Sequence, residues 1–214
     1  MTITLMIYAV LVLALTIAEL TEHRRAQCVL KPLAALGFLF IAFSSTALLT
    51  TYGLIIFAGL AACAVGDVLL LSRNSRKLFL AGMAAFALGH IAYVSAFLTL
   101  QSGTYSTGRV VLSAVVIAGT IGFYIWLKPK LPQDMRIAVG LYTLIILVMV
   151  VSALGLPPLA YSRLAMIGAV MFAVSDMFVA RDRFVTRTPK NALAITPLYF
   201  GAQALIAVSA KVVF

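Results

Sequence analysis

The sequence predicts an all-α protein in which eight helices cross a membrane. The 214-residue chain is 64% hydrophobic and only 10% charged, whereas soluble domains have about 45–50% apolar and about 25% charged residues. Its mean hydropathy is +1.12. Apolar segments of about 20 residues, the length that spans a bilayer, recur along nearly the whole chain. We therefore expect a single integral membrane domain, residues 1–214.

The predicted helices follow one another with short polar connections. The first apolar run has no basic segment before it and is too long for a signal peptide, so we interpret it as a mature span. Lys31-Pro32 is expected to open the second helix, because proline is favoured in the first helical turn. The loop 128–134 and the turn 155–158 interrupt the second half of the chain. The predicted helices cover residues 3–20, 32–49, 54–71, 78–100, 110–127, 137–154, 162–180 and 193–212.

Basic residues fall unevenly between the loops, which supports the count of eight and predicts an orientation. The odd-numbered loops hold thirteen of the 16 Lys and Arg residues: Arg24, Arg25, Lys31, Arg73, Arg76, Lys77, Lys128, Lys130, Arg136, Arg181, Arg183, Arg187 and Lys190. The even-numbered loops and the ends hold Arg109, Arg163 and Lys211. Because basic loops stay in the cytoplasm, we expect both termini outside, in a bacterial inner membrane. This confinement favours lipid headgroups rather than nucleic acid as the partner of the +10 net charge.

Polar residues within the predicted spans indicate a functional site. Asp67 and Asp176 lie roughly 6–8 Å inside the membrane from its cytoplasmic side, judged from the rise of a helix. A carboxyl group at that depth is costly, and its default interpretation is a functional site with a partner. Other polar residues come from neighbouring helices in the same leaflet or near mid-membrane: Glu19, Lys31, His90, Tyr93, Tyr199 and Gln203. We predict that this set surrounds a polar cavity open towards the cytoplasm.

Each of these residues also has a structural interpretation. Glu19 and Lys31 can be interfacial residues whose charged ends reach the headgroups, and the tyrosines can be interface aromatics. Gln203 can join neighbouring helices, and His90 can be a core histidine bonded to a carbonyl. The aspartates can cap a helix or pair with an arginine. The sequence alone leaves these alternatives open.

The two halves of the chain share a pattern that suggests duplication. Val65-Gly66-Asp67-Val68 ends the third predicted helix, and Val174-Ser175-Asp176-Met177 ends the seventh. His90 follows Asp67 by 23 residues, and Tyr199 follows Asp176 by the same interval. With four spans in each repeat, the halves would be parallel and related by an axis along the membrane normal.

Two buried carboxyl groups suit acid–base chemistry. In a water-poor cavity one can stay protonated while the other is ionised, so that one donates a proton and the other activates water. This division suits hydrolysis through an oxocarbenium-like state. The chain has only two histidines, His23 and His90, whereas catalytic zinc usually takes three protein ligands. Neither a Gly-x-Ser-x-Gly elbow nor a phosphate-binding glycine loop is present, and we expect no metal and no cofactor.

The order of several motifs resembles the YhhN family, eight-span membrane proteins that include the animal lysoplasmalogenases. The motifs are Lys31-Pro32, Gly66-Asp67, Gly89-His90 with Tyr93, Ser175-Asp176, and Tyr199 with Gln203. The resemblance implies hydrolysis of the vinyl ether bond of lysoplasmalogens, giving a fatty aldehyde and glycerophospho-ethanolamine or -choline. A lysophospholipid and the bilayer are then the partners, and the sequence sets no oligomeric state.

The resemblance also implies roles for individual residues. The expected catalytic residues are Asp67 and Asp176, as acid and base in an unassigned order, and His90. The expected substrate-binding residues are Tyr93, Tyr199, Gln203, Lys31 and Glu19. Lys31 and the loop arginines are suited to holding the phosphate group.

Three other functions fit parts of the pattern. A proton-coupled transporter of a small or lipid substrate also uses membrane carboxylates and parallel repeats, but only the helix with Pro197 looks interrupted. Intramembrane aspartyl proteases pair Tyr-Asp with a later Gly-x-Gly-Asp, whereas here Gly66-Asp67 comes first and Ser175 precedes the second aspartate. The third is a structural or lipid-sensing protein without turnover.

Overall fold

The computed structural model describes residues 1–45, 47–72, 75–101 and 106–211. This part of the chain contains eight helices long and apolar enough to cross a membrane, and it contains no β-strand. They are α1 (Thr2–Leu20), α2 (Arg24–Ser44), α3 (Thr51–Leu70), α4 (Arg76–Thr99), α5 (Thr107–Leu127), α6 (Arg136–Leu154), α7 (Ala160–Phe184) and α8 (Ala192–Ser209). The predicted all-α fold with eight spans is confirmed, and the chain is an integral membrane protein.

The start of α2 is the largest departure from the predicted bounds. This helix begins at Arg24, so the prediction that Lys31-Pro32 opens it is wrong, and Pro32 lies inside it. The His23 ring accepts a hydrogen bond from the amide of Ala26 at 3.2 Å and caps the helix. The polar segment that follows contains good helix formers, so the helix continues out of the apolar region. Its basic residues therefore lie in the first turns of α2 rather than in a loop.

Three other predicted helix ends also differ from the structure. The second helix ends at Ser44 instead of residue 49, and α7 continues to Phe184 instead of residue 180. The extension of α7 carries Arg181 and Arg183 in its last turn, where positive charges interact favourably with the helix dipole. The last helix ends at Ser209 rather than at residue 212. Arg73 in the third loop and Val212 itself lie outside the described residues.

Six helices form a closed ring around the interior. In order, α2, α3, α4, α6, α7 and α8 each pack on the next, and α8 returns to α2. The halves pack equivalently, since α3 packs on α4 as α7 packs on α8, and α2 packs on α3 as α6 packs on α7. This is the contact pattern that the predicted parallel duplication requires. Outside the ring, α1 packs on α2 and α8, and α5 packs mainly on α6.

Glycines bring α3 and α4 into close contact. A Cβ atom added to Gly89 would lie 2.6 Å from Sγ of Cys63 and 2.9 Å from the carbonyl oxygen of Gly59. Membrane helices associate through such close packing of small residues, because lipid leaves no hydrophobic driving force between them. The rigid α3–α4 pair holds Asp67 in place relative to α4.

By contrast, α5 is held mainly at its C-terminal end. Its only fully buried residue is Leu127, which packs in a small cluster with Leu131, Met135 and Val139. The Tyr124 hydroxyl donates a hydrogen bond of 3.0 Å to the carbonyl of Arg136. Further towards its N-terminus, a Cβ atom added to any glycine of α5 would meet nothing within 4 Å. The N-terminal two thirds of α5 therefore packs only loosely on the ring, with Val116 as a partly buried contact to the main core.

We expect opposite effects from adding one methyl group at two glycines. Gly89→Ala forces the new Cβ against Cys63 and the backbone of Gly59, and overpacking of this kind costs about 1–3 kcal/mol. Gly122→Ala meets no atom and gains about 0.5–1 kcal/mol from helix propensity. Thermal unfolding in detergent should show a lower midpoint for the first variant and an equal or higher midpoint for the second. A midpoint for Gly89→Ala at or above that of the wild type would contradict this packing.

The orientation in the membrane remains a prediction, which the loops before and after α6 can test. In a Cys28→Ser, Cys63→Ser background, Gln133→Cys should react with a membrane-impermeant maleimide only from the cytoplasmic side. Pro158→Cys should react only from the outside, because the basic loop before α6 is expected in the cytoplasm. Both positions are exposed, so the pair serves as its own control. The reverse pattern would place both termini in the cytoplasm.

Candidate active site

A cavity of about 330 Å³ extends from the ring to α5, and both Asp67 and Asp176 line it. Most of its wall is aliphatic and aromatic, from α3 to α8. Its other polar or charged lining residues are Lys31, Thr120, Tyr142, Thr143, Ser175, Arg183 and Tyr199. An apolar cavity with a few convergent polar groups is the usual form of a small-molecule site. The sequence therefore located the two carboxyl groups that share this cavity.

Asp67 is held by one hydroxyl group and one cation. The carboxylate is 2% exposed and accepts a hydrogen bond of 2.6 Å from the hydroxyl of Tyr199. Its other oxygen lies 3.9 Å from Nζ of Lys31. Both contacts stabilise a negative charge on Asp67.

A chain of buried donors ends at Asp67. The Tyr93 hydroxyl donates to Oε1 of Gln203 at 2.8 Å, and Nε2 of Gln203 donates to the Tyr199 hydroxyl at 3.2 Å. Tyr93 and Gln203 are completely buried and lie behind Tyr199 rather than in the cavity wall. Of these three predicted substrate-binding residues, only Tyr199 faces the cavity, and the other two orient it.

Lys31 is held from its other side by α1. Oε1 of Glu19 lies 3.7 Å from Nζ of Lys31, and the hydroxyl of Thr196 in α8 donates to the second oxygen of Glu19. Lys31 lines the cavity and Glu19 does not. Glu19 therefore contacts the site through Lys31. The two residues form an ion pair with each other, which the interfacial interpretation of the sequence did not include.

Asp176 has different surroundings, although it is the same residue type in the same cavity. The hydroxyl of Tyr142 in α6 donates a hydrogen bond of 2.7 Å to its Oδ2. Within the described residues, no Lys, Arg or His forms an ion pair with Asp176. That part of the chain also brings no three His, Cys, Asp or Glu residues together as a metal site.

Tyr142 was missed by sequence reasoning. It lies in the first half of α6, much as Lys31 lies in the first half of α2, and its hydroxyl reaches Asp176 as the lysine reaches Asp67. The apparent duplication was the available signal, because it pairs α2 with α6. A single tyrosine in an apolar span otherwise resembles many interface aromatics.

His90 is completely buried beside Tyr142 and outside the cavity wall. Its ring packs edge-on against Phe172 at 4.4 Å between centroids and lies 5.6 Å from the ring of Tyr142. Neither ring nitrogen has a hydrogen-bond partner among the described residues, so His90 is not the carbonyl-bonded core histidine of the structural alternative. Unsatisfied buried nitrogens are unfavourable for stability and are rare in native proteins.

Taken together, the site contains two carboxyl groups with unequal partners in one apolar cavity. Both carboxyl groups line the same cavity, whose wall is mostly apolar. Such a site can donate a proton from one carboxyl group and accept one at the other.

Comparison with known proteins places the chain in a family. The model of the YhhN family matches residues 26–210. Lysoplasmalogenase TMEM86A of Bos taurus is 35% identical over 161 residues, covering 72% of this chain and 64% of the relative. Lysoplasmalogenase TMEM86B of Homo sapiens is 34% identical over 161 residues, covering 74% and 64%. The lysoplasmalogenase of Mycobacterium bovis is 32% identical over 147 residues, covering 67% and 55%.

These matches span 55–64% of the length of the three relatives. No solved structure matches the chain significantly. Because the family match extends over most of the sequence and includes every helix that lines the cavity, this protein belongs to the YhhN family.

Proposed function

We propose that this protein is a membrane-embedded hydrolase that cleaves the vinyl ether bond of lysoplasmalogen-type lysophospholipids. The products are a fatty aldehyde and glycerophospho-ethanolamine or -choline. The observation that carries the proposal is the pair Asp67 and Asp176, which line one apolar cavity with unequal partners. The names of the curated relatives support the same substrate class.

The chemistry of a vinyl ether requires both an acid and a base. Protonation of the β-carbon leaves an oxocarbenium ion at the α-carbon, and water attacks that carbon while losing a proton. The resulting hemiacetal collapses to the aldehyde and the free glycerol hydroxyl. Each turnover thus consumes one water, and the proton that the acid gives is balanced by the proton that the base receives.

The contacts of the two aspartates suggest which is which. Lys31 and Tyr199 both stabilise the carboxylate of Asp67, which suits the base that accepts the proton of water and steadies the cation. Asp176 has a phenol and no cation within the described residues, which suits a carboxylic acid kept neutral in an apolar site. We assign Asp176 as the general acid and Asp67 as the general base.

The remaining residues bind the substrate or position the two aspartates. Lys31 and Arg183 line the cavity, and Arg183 lies over the ring of Phe79 at 4.5 Å, so these two cations are placed to hold a phosphate group. Tyr199 and Tyr142 orient the aspartates. The other predicted residues act through these neighbours: Tyr93 and Gln203 through Tyr199, Glu19 through Lys31, and His90 through Tyr142.

A proton-coupled transporter is the second candidate. The equivalent packing of the two halves favours it, because parallel repeats suit alternating access. However, α8 continues through Pro197 as a single helix, and transport sites are typically formed by broken ones. Release of aldehyde by purified protein in detergent distinguishes the enzyme, since a transporter does not cleave its substrate.

Replacement of either aspartate by its amide should abolish hydrolysis. We expect Asp67→Asn and Asp176→Asn each to lower kcat by about 10²–10⁴-fold, the usual contribution of a general acid or base. Asp134→Asn is the matched control, because Asp134 is exposed and pairs with Arg76 outside the cavity. Aldehyde release from a lysoplasmalogen measures the rates, and gel filtration checks folding. Near-normal rates in either active-site variant would refute the assignment.

Loss of the Tyr142 hydroxyl should impair the acid without removing it. Tyr142→Phe deletes the hydrogen bond to Asp176, and a bond worth about 1–1.5 kcal/mol corresponds to a reduction in kcat of about tenfold. Tyr124→Phe loses a comparable bond to the backbone of Arg136 outside the cavity and should retain full kcat. Equal kcat values for the two variants would exclude a positioning role for Tyr142.

A further inference from the structure

The cavity reaches the surface of the protein between α5 and α7. Three residues of its wall on α7 are also exposed on the outside of the bundle: Val170 at 40%, Val174 at 36% and Met177 at 40%. Across from them, Gly119 of α5 lines the cavity and is exposed as well. These positions lie within membrane-spanning helices, so this opening faces lipid rather than water.

Because α5 is held mainly at its C-terminal end, it leaves a gap beside α7 at the level of Gly119. Its C-terminal end is fixed by the cluster around Leu127 and by the bond from Tyr124. Elsewhere α5 makes few contacts with α7, and Gly119 presents no side chain to the gap. A Cβ atom at position 119 would meet nothing within 4 Å.

The cavity is polar at one part of its wall and apolar elsewhere. Asp67, Asp176, Lys31 and Arg183 supply the charged groups, whereas the helix faces beside the opening are mainly aliphatic or aromatic, with Thr120 as a polar exception. A volume of about 330 Å³ is near the lower end of the range for ligand cavities, about 300–1,000 Å³. This combination suits a lipid with one charged headgroup and one hydrocarbon chain.

We propose that the hydrocarbon chain of a single-chain phospholipid passes from the bilayer into the cavity between α5 and α7, and that Gly119 keeps this passage open. The chemical class of the lipid rests on the proposed function. The headgroup lies at Lys31 and Arg183, and the chain lies against Gly119 with its distal part in the bilayer. Gly119 is thus a specificity-determining position, because the room at residue 119 decides whether a long chain fits.

The chain offers a matched pair of variants for a test. Gly119→Leu adds a side chain at the passage, and its Cβ meets no protein atom within 4 Å. Gly122→Leu adds the same side chain one turn along α5, also without a neighbour, at a position that does not line the cavity. Both changes raise helix propensity equally. They differ in whether the leucine enters the passage.

Binding is measured with a probe that needs no turnover. The full-length protein in liposomes is irradiated with a 1-O-alkyl lysophosphoethanolamine that carries a diazirine in its chain, and the labelled peptides are mapped. We expect labelling of α5 and α7 in the wild type and in Gly122→Leu, and a reduction of about tenfold in Gly119→Leu, the scale of a steric mismatch in an apolar pocket. For vinyl ether hydrolysis, kcat/KM should fall similarly for a long chain and less than about twofold for a short-chain analogue.

The outcomes separate this inference from the proposed hydrolysis. Selective loss of labelling in Gly119→Leu supports the passage even if the wild type hydrolyses no vinyl ether, in which case the proposed reaction alone is wrong. Wild-type labelling in Gly119→Leu, or equal loss in both leucine variants, overturns the passage even if hydrolysis is confirmed. Equal losses of kcat/KM for long and short chains would also overturn it.

Discussion

The pairing of Lys31 with Asp67 inside the membrane is the interaction on which the site depends. A carboxylate away from water is tolerated only with a partner, and here Lys31 and the Tyr199 hydroxyl supply the compensation. Removal of one member of a buried pair leaves the other uncompensated, at a cost of about 3–5 kcal/mol. The geometry of the cavity and the charge of the proposed base are therefore set by the same contacts.

This pairing also connects the helices. Glu19 ties Lys31 to α1, Thr196 ties Glu19 to α8, and the donor chain through Gln203 reaches Tyr93 on α4. Four other helices thus support the single carboxylate on α3. In lipid, where apolar contacts alone give little preference for one helix arrangement, such polar contacts help to select one packing.

The two halves of the ring are similar in packing but not in chemistry. Tyr199 lies 23 residues after Asp176 and bonds to Asp67, whereas His90 lies 23 residues after Asp67 and bonds to no described residue. Lys31 on α2 is matched by Tyr142 on α6. A symmetric scaffold with unequal partners is a simple way to give two identical side chains different protonation states, because neighbours and burial determine which form is favoured.

The parts of the fold that could be predicted depend on simple physical limits. Hydrophobic length fixed the number of spans, and the cost of burying a charge singled out Asp67 and Asp176. The start of α2 was not predictable from apolarity, because that helix continues into a polar segment capped by His23. The gap beside α5 and the bond from Tyr142 depend on which helix faces which, and lipid-facing and cavity-facing apolar residues look alike in sequence.

The protonation of the two aspartates can be measured directly by infrared difference spectroscopy of the protein in liposomes at neutral pH. If Asp176 is the acid and Asp67 the base, the carbonyl band of a protonated, buried carboxyl group should disappear in Asp176→Asn and persist in Asp67→Asn. Loss of that band in Asp67→Asn alone, or its absence from the wild type, would contradict the proposed division between the two groups.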